Sequence, residues 1–289
     1  MVKILVDSTC DLTKELIERY NIIIVPLFVN FDEDSYRDGI DLTTEQLYEE
    51  VKKRKYLPKT SAMSTPQFVD IFNEYVKNGD EVIYTGISSQ MSSSFNNARL
   101  AAQEIGEDKV FVVDSGNLST GIGHLVIKAA EDRDRGLTAK EIVDNFVKNS
   151  KLVLTQFAIE TMEYLHKGGR CSSVAKIAAT LLRIKPIIQV RDGKMSVQQK
   201  PMGKIKVALD KMINQLRGHK DMIDRSRIFV THSIAPESAK YILPILKEEF
   251  PDVEIIETYA GCVISSHCGP GCIGILYMLR PEFEDKVNN

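Results

Sequence analysis

Three apolar runs in this chain end in the same way. Residues 2–6 give way to Asp7-Ser8-Thr9, residues 81–87 to Ser88-Ser89-Gln90, and residues 110–113 to Asp114-Ser115-Gly116. Each run is short enough for a buried strand, and the stretch after each has helical spacing, as in Leu12, Leu16 and Ile17 after the first. That alternation leaves few folds open. Parallel strands need a crossover between them, usually a helix, so the pattern implies a mostly parallel sheet covered on both faces. In such open sheets ligands bind beyond the carboxyl ends of the strands, where these small polar residues would sit.

The rest of the first half keeps this rhythm. A second strand is expected over residues 22–29. Thr43 and Gln46 form a capping box for a charged helix, and Thr138 and Glu141 form another for a helix ending near Asn149. Pro66 suits the first turn of a helix carrying Phe68, Ile71, Phe72 and Tyr75 toward the core. From Leu152 the order changes. A strand over residues 152–159 and a short helix ending at Gly168-Gly169 lead to a hairpin that turns at Asp192-Gly193. A helix over residues 204–216, a strand at 228–231, a helix near Pro236 and strands at 254–258 and 273–279 follow. A hairpin within such an array implies a mixed sheet. The expected fold class is α/β, with an N-terminal parallel-sheet α/β domain over residues 1–150 and a C-terminal α+β domain over residues 151–289. A chain of 289 residues is long for a single core, which agrees with two.

Charge and composition exclude several functions. A net charge of −3 provides no field to gather nucleic acid. No apolar run approaches the ~20 residues of a membrane span. Met1-Val2-Lys3-Ile4 runs directly into a strand, so no signal peptide is expected, and five irregularly spaced cysteines suit free thiols in a reducing compartment. The expected location is the cytoplasm.

Chemistry concentrates in a few places. Ser88, Ser89, Ser92, Ser93 and Ser94 put five hydroxyls into seven residues, before a helix expected to rise from Asn97. One hydroxyl suffices to cap a helix. The others, with the helix amides and dipole, suit an anion such as a phosphate or carboxylate. Thr60-Ser61 lies in an expected turn before Pro66. Gly168-Gly169-Arg170 reads as a helix C-cap followed by a cation. His267 stands between Ser265-Ser266 and a Gly269-Pro270-Gly271 turn, where an imidazole can donate to an anion. Cys262, His267, Cys268 and Cys272 lack the Cys-x-x-Cys spacing of structural zinc. Gly86-Ile87-Ser88-Ser89-Gln90 is one glycine short of a nucleophile elbow. It leaves open an acyl-ester hydrolase using Ser88 or Ser92, with His267 as base and Asp114 as its orienter. His124, His166, His219 and His232 are isolated and read as structural or surface residues.

Taken in order, these motifs resemble the DegV family, the fatty-acid-binding proteins that serve the bacterial fatty acid kinase. The resemblance spans essentially the whole chain. It rests on Asp7-Ser8-Thr9-Cys10-Asp11-Leu12, Pro58-Lys59-Thr60-Ser61, Ile87-Ser88-Ser89 with Ser92, Val113-Asp114-Ser115, Lys167-Gly168-Gly169-Arg170 and His267-Cys268-Gly269-Pro270-Gly271. It implies a long-chain fatty acid in an apolar tunnel between the domains. Thr60, Ser92 and His267 would meet its carboxylate, Ser61 and Ser93 would neighbour them, and Arg170 would lie near the head group. It implies no catalysis and no cofactor in this chain, since a separate fatty acid kinase subunit would bring ATP and metal. It also allows transient contact with a membrane surface. Gln90 and Ser93 stand where the family pattern has glycines, and Cys268 where threonine is common.

Overall fold

The computed structural model describes residues 1–173 and 184–287. Its framework is three sheets. β1 (Val2–Asp7), β2 (Ile22–Val25), β6 (Glu81–Thr85) and β7 (Val110–Val112) form a parallel sheet in the order β2-β1-β6-β7. A small antiparallel sheet joins β3 (Phe28–Phe31), β4 (Asp34–Arg37) and β5 (Lys59–Ser61) in the order β4-β3-β5. The third is mixed, ordered β10-β9-β8-β13-β11-β12, and comprises β8 (Val153–Ala158), β9 (Ile187–Arg191), β10 (Lys194–Gln199), β11 (Arg227–Ser233), β12 (Glu254–Tyr259) and β13 (Cys272–Met278). β11 and β12 run parallel, while β13 is antiparallel to both β8 and β11. This is the α/β architecture expected, with its parallel and mixed sheets.

The helix Thr120–Asp134 lies between the parallel and mixed sheets and contacts β1, β8 and β13. Eleven of its fifteen residues are buried, so it has no solvent stripe of the kind a surface helix shows. One of the core clusters therefore spans both sheets, running from Ile4, Val6 and Ile83 through Ile122 and Val126 to Phe229 and Leu276. Among the described residues no helix is long and apolar enough to cross a membrane.

Several expectations need correction. The strand anticipated over residues 22–29 is two, because Pro26 has no N–H for a ladder and the chain passes there from the parallel to the antiparallel sheet. Thr60-Ser61 is not a turn but belongs to β5, paired antiparallel with β3. The helix after the serines begins at Ser94 rather than Asn97. His267 lies in the last turn of a short helix, Cys262–Cys268, that was not anticipated. The hairpin is as anticipated, with Asp192 and Gly193 both at positive φ, 48° and 72°, in the manner of a tight I′ turn.

Candidate functional site

The segments that follow β1, β4, β6, β7 and β12 are tied together by hydrogen bonds. The Asp7-to-Asp11 turn after β1 supplies carboxylates that reach across the molecule. Asp11 accepts from the Gly261 amide at 2.9 Å and from the Ser119 hydroxyl at 2.5 Å. Asp38 accepts from the Cys262 amide at 2.6 Å and from Ser8 at 2.8 Å. These acceptors meet the first amides of the helix Cys262–Cys268, which has no side-chain cap of its own. Asp7 accepts from the Ile87 amide at 2.9 Å and so fixes the backbone entering the serine turn. Burial raises all three acids, Asp7 to about 6 and Asp11 well above the usual carboxylate range, against the lowering effect of these hydrogen bonds.

The serines divide by role. Ser88 is buried, donates to the Gly193 carbonyl at 2.9 Å and accepts from the Gln90 amide at 3.2 Å. The hairpin tip thus rests on the serine turn, and a Cβ on Gly193 would fall 2.5 Å from the Ser88 hydroxyl. Ser94 is buried against the Tyr84 hydroxyl. Ser89 offers its amide to Asp114. Ser92 and Ser93 both line a cavity, the Ser92 hydroxyl also accepting from the Ser94 amide at 3.2 Å. Ser93 has φ −77° and ψ −5°, and Gln90 is not at positive φ, so neither position needs the glycine of the family pattern.

That cavity has a volume of about 340 Å³, within the roughly 300–1,000 Å³ of small-molecule sites. Thr60, Ser61, Ser92, Ser93, Arg170 and His267 all line it. Ser61, Ser93 and Arg170 are exposed, whereas Thr60, Ser92 and His267 are half-buried, which defines a polar mouth. Deeper lie Met91, Leu118, Phe157, Leu165 and Leu276, all buried. The polar side chains inside are already engaged. Thr155 donates to Asn117, Thr231 bonds both Thr120 and Thr258, and Ser233 bonds Tyr48 and Ser265. Their carbons face the cavity and the interior is effectively apolar. His232 also lines it, which its isolation in the sequence concealed, but its two nitrogens are held by Glu257 and the Ala235 amide.

At the mouth His267 Nε2 lies 2.8 Å from Thr60 Oγ1, joining residues 207 apart in sequence. Its Nδ1 has no partner and faces Gly168, where a Cβ would come within 2.4 Å. Burial, reinforced by the charge of Arg170, lowers His267 to about 4, so the ring is neutral at pH 7. Arg170 turns back to donate to the Gly168 carbonyl at 2.7 Å. A triad of Ser88, His267 and Asp114 is not assembled: among the described residues no carboxylate meets His267 Nδ1, Asp114 is spent on the Ser89 and Gly116 amides, and the Ser88 hydroxyl points into a carbonyl. Among the described residues, no group of three or more His, Cys, Asp or Glu could hold a metal.

Fold and site together define an α/β protein with a polar-mouthed, apolar cavity walled by the mixed sheet and by the segments that follow β6 and β7 of the parallel sheet. The family model described as "Uncharacterised protein, DegV family" matches residues 1–280, and the chain belongs to that family. It is 31% identical over 280 residues to Protein DegV of Bacillus subtilis, covering 96% of this chain and 99% of that protein. The fatty-acid-binding DegV family protein of Thermus thermophilus superimposes with a TM-score of 0.89 at 27% identity, covering 96% of this chain and 99% of that one. A stearic-acid-binding protein of Eubacterium ventriosum does so with a TM-score of 0.84 at 28% identity, covering 98% and 99%.

Proposed function

We propose that this protein binds a long-chain fatty acid, tail inward, and presents the carboxylate at the mouth to a separate fatty acid kinase subunit for acyl-phosphate formation, with no catalysis of its own. The observation that carries this is the convergence of Thr60, Ser92 and His267, from separate segments, on the mouth of one apolar cavity. The family relationship to fatty-acid-binding proteins supports it.

The energetics suit a carrier. Each buried methylene contributes about 0.8 kcal/mol before ordering costs, so the tail dominates affinity. The carboxylate then needs donors, since a bare buried charge is costly. We assign the His267 proton to Nε2, because the other tautomer would bury an N–H with no acceptor beside Gly168. Thr60 then accepts from His267 and its own hydroxyl proton is free to donate to the carboxylate. Neutral donors hold an anion less firmly than an arginine fork would, which favours hand-over. Arg170, exposed at the same mouth, would meet added phosphate charge.

Native mass spectrometry of gently purified protein tests the binding. Retained mass matching one fatty acid per chain is the expected result, and a protein that stays free of lipid after incubation with stearate would contradict it. The presentation step is tested separately: acyl-phosphate formation by the kinase subunit with ATP should require this chain and fall with Arg170→Ala.

A further inference from the structure

Two features of the cavity wall play no part in lipid binding as described. Cys268 closes the helix that carries His267, and Cys272 opens β13. Between them Gly269 and Gly271, at φ 77° and 81°, turn the chain back on itself around Pro270. The turn places the two thiols, four residues apart, in one buried cluster with Phe157, Leu165 and Ile188. Both are free, both are buried, and both line the same cavity. Of the five cysteines, Cys10 and Cys262 lie outside that lining, as does Cys171.

We propose that Cys268 and Cys272 are a reversible dithiol–disulfide pair, closed by a peroxide that enters the empty cavity and shielded when an acyl chain fills it. The shielding half rests on the fatty-acid reading; the pairing half does not. The chemistry balances with hydrogen peroxide as oxidant. One thiol, as thiolate, attacks a peroxide oxygen, the O–O bond breaks, and a sulfenic acid and one water result. The second thiol attacks that sulfur, the S–S bond forms, and a second water leaves with the remaining proton. Two thiols have lost two electrons to one peroxide.

The surroundings set the tempo. The neighbouring Cys268 together with burial holds the Cys272 thiol protonated. Attack on peroxide is therefore slow. Thiols that hold their protons tightly are also poor leaving groups, so the disulfide, once closed, resists reduction. The pair responds to sustained oxidation rather than brief exposure. Because the bond would tie the turn beside His267 to β13, closure and lipid binding are coupled, and each alters the other by the same factor.

The test uses the full-length, reduced, ligand-free protein treated with hydrogen peroxide, then alkylated in denaturant and weighed intact. The expected product has lost about 2 Da, the two thiol hydrogens, and leaves three of the five thiols open to alkylation. Cys171→Ser should still form the bond, whereas Cys268→Ser and Cys272→Ser should not. Saturating stearate should slow closure severalfold, and the oxidised protein should bind stearate with affinity shifted about fivefold or more, the lower end of ordinary coupling. Five alkylatable thiols after prolonged oxidation would overturn the pairing, as would gain of oxygen without loss of thiol pairs. Closure at an unchanged rate with stearate demonstrably bound would overturn the shielding. Stearate that fails to bind counts against the functional reading alone, and the ligand-free result still decides the pair.

Discussion

A methyl group at position 168 would sit 2.4 Å from His267 Nδ1, so glycine there sets how closely the short helix Glu163–Gly168 approaches the imidazole. Gly168→Ala should push the ring off Thr60. Overpacking of this kind costs about 1–3 kcal/mol, and chemical denaturation should read that loss together with weaker stearate binding. Thr60→Val keeps the side-chain shape and removes the hydroxyl. Losing one donor to a carboxylate at about 1–2 kcal/mol should weaken stearate binding about five- to thirtyfold by calorimetry, while the His267 N–H left without its acceptor should cost about 1–3 kcal/mol of stability. His267 also leaves a mark on pH dependence. Its native value is lowered to about 4, whereas the unfolded chain takes that proton near the ordinary histidine value of about 6.5. Between these values the unfolded state binds the extra proton, so this contribution is fully present above about 6.5 and is lost as pH falls toward 4. Asp7, raised to about 6 by burial, acts in the opposite sense, gaining stability as pH falls. Comparison with a variant therefore isolates the histidine. His267→Gln should lose up to about 3 kcal/mol less than the parent between those pH values. An identical slope would place the native pKa of His267 near its ordinary value.

The helix Cys262–Cys268 is the element on which the site turns, and its sequence hides it. Gly261 at its N-cap offers no side chain, and the acceptors that stand in for one, Asp11 and Asp38, lie 250 and 224 residues away along the chain. A local reading of Gly261-Cys262-Val263-Ile264 therefore meets no start signal, although His267 itself was legible as a site residue from its neighbours. Helices with their caps in sequence, Thr44–Arg54 and Ala139–Ser150, could be read directly. β5 was obscured for a related reason, since its three residues carry no alternation and are defined only by pairing with β3. Asp38→Ala strips the cap from the Cys262 amide. It should cost about 1–2 kcal/mol of stability and weaken stearate binding through His267, while Asp38→Asn, which keeps an acceptor oxygen, should recover most of both. Loss of binding in the asparagine variant equal to that in the alanine variant would mean the charge, not the cap, matters.

At the level of the whole molecule, the helix Thr120–Asp134 joins the parallel and mixed sheets through a common core. That helix could be anticipated, but not its place between layers, because a helix buried on nearly every side carries no directional apolar stripe. The same arrangement leaves an apolar cavity whose wall has the composition of ordinary core, which is why Phe157 and Leu165 could not be singled out as lining residues in advance. A shared core implies one cooperative unfolding transition, coincident by circular dichroism and tyrosine fluorescence, and shifted upward by stearate. On the proposed function the cavity takes an acyl chain with its acid end outward. A crystal structure of the stearate complex measures that directly. The expected result has the carboxylate within hydrogen-bond distance of Thr60 and Ser92 and the tail passing Met91, Leu118 and Phe157. Stearate bound elsewhere, or lying with its carboxylate among those apolar residues, would contradict it.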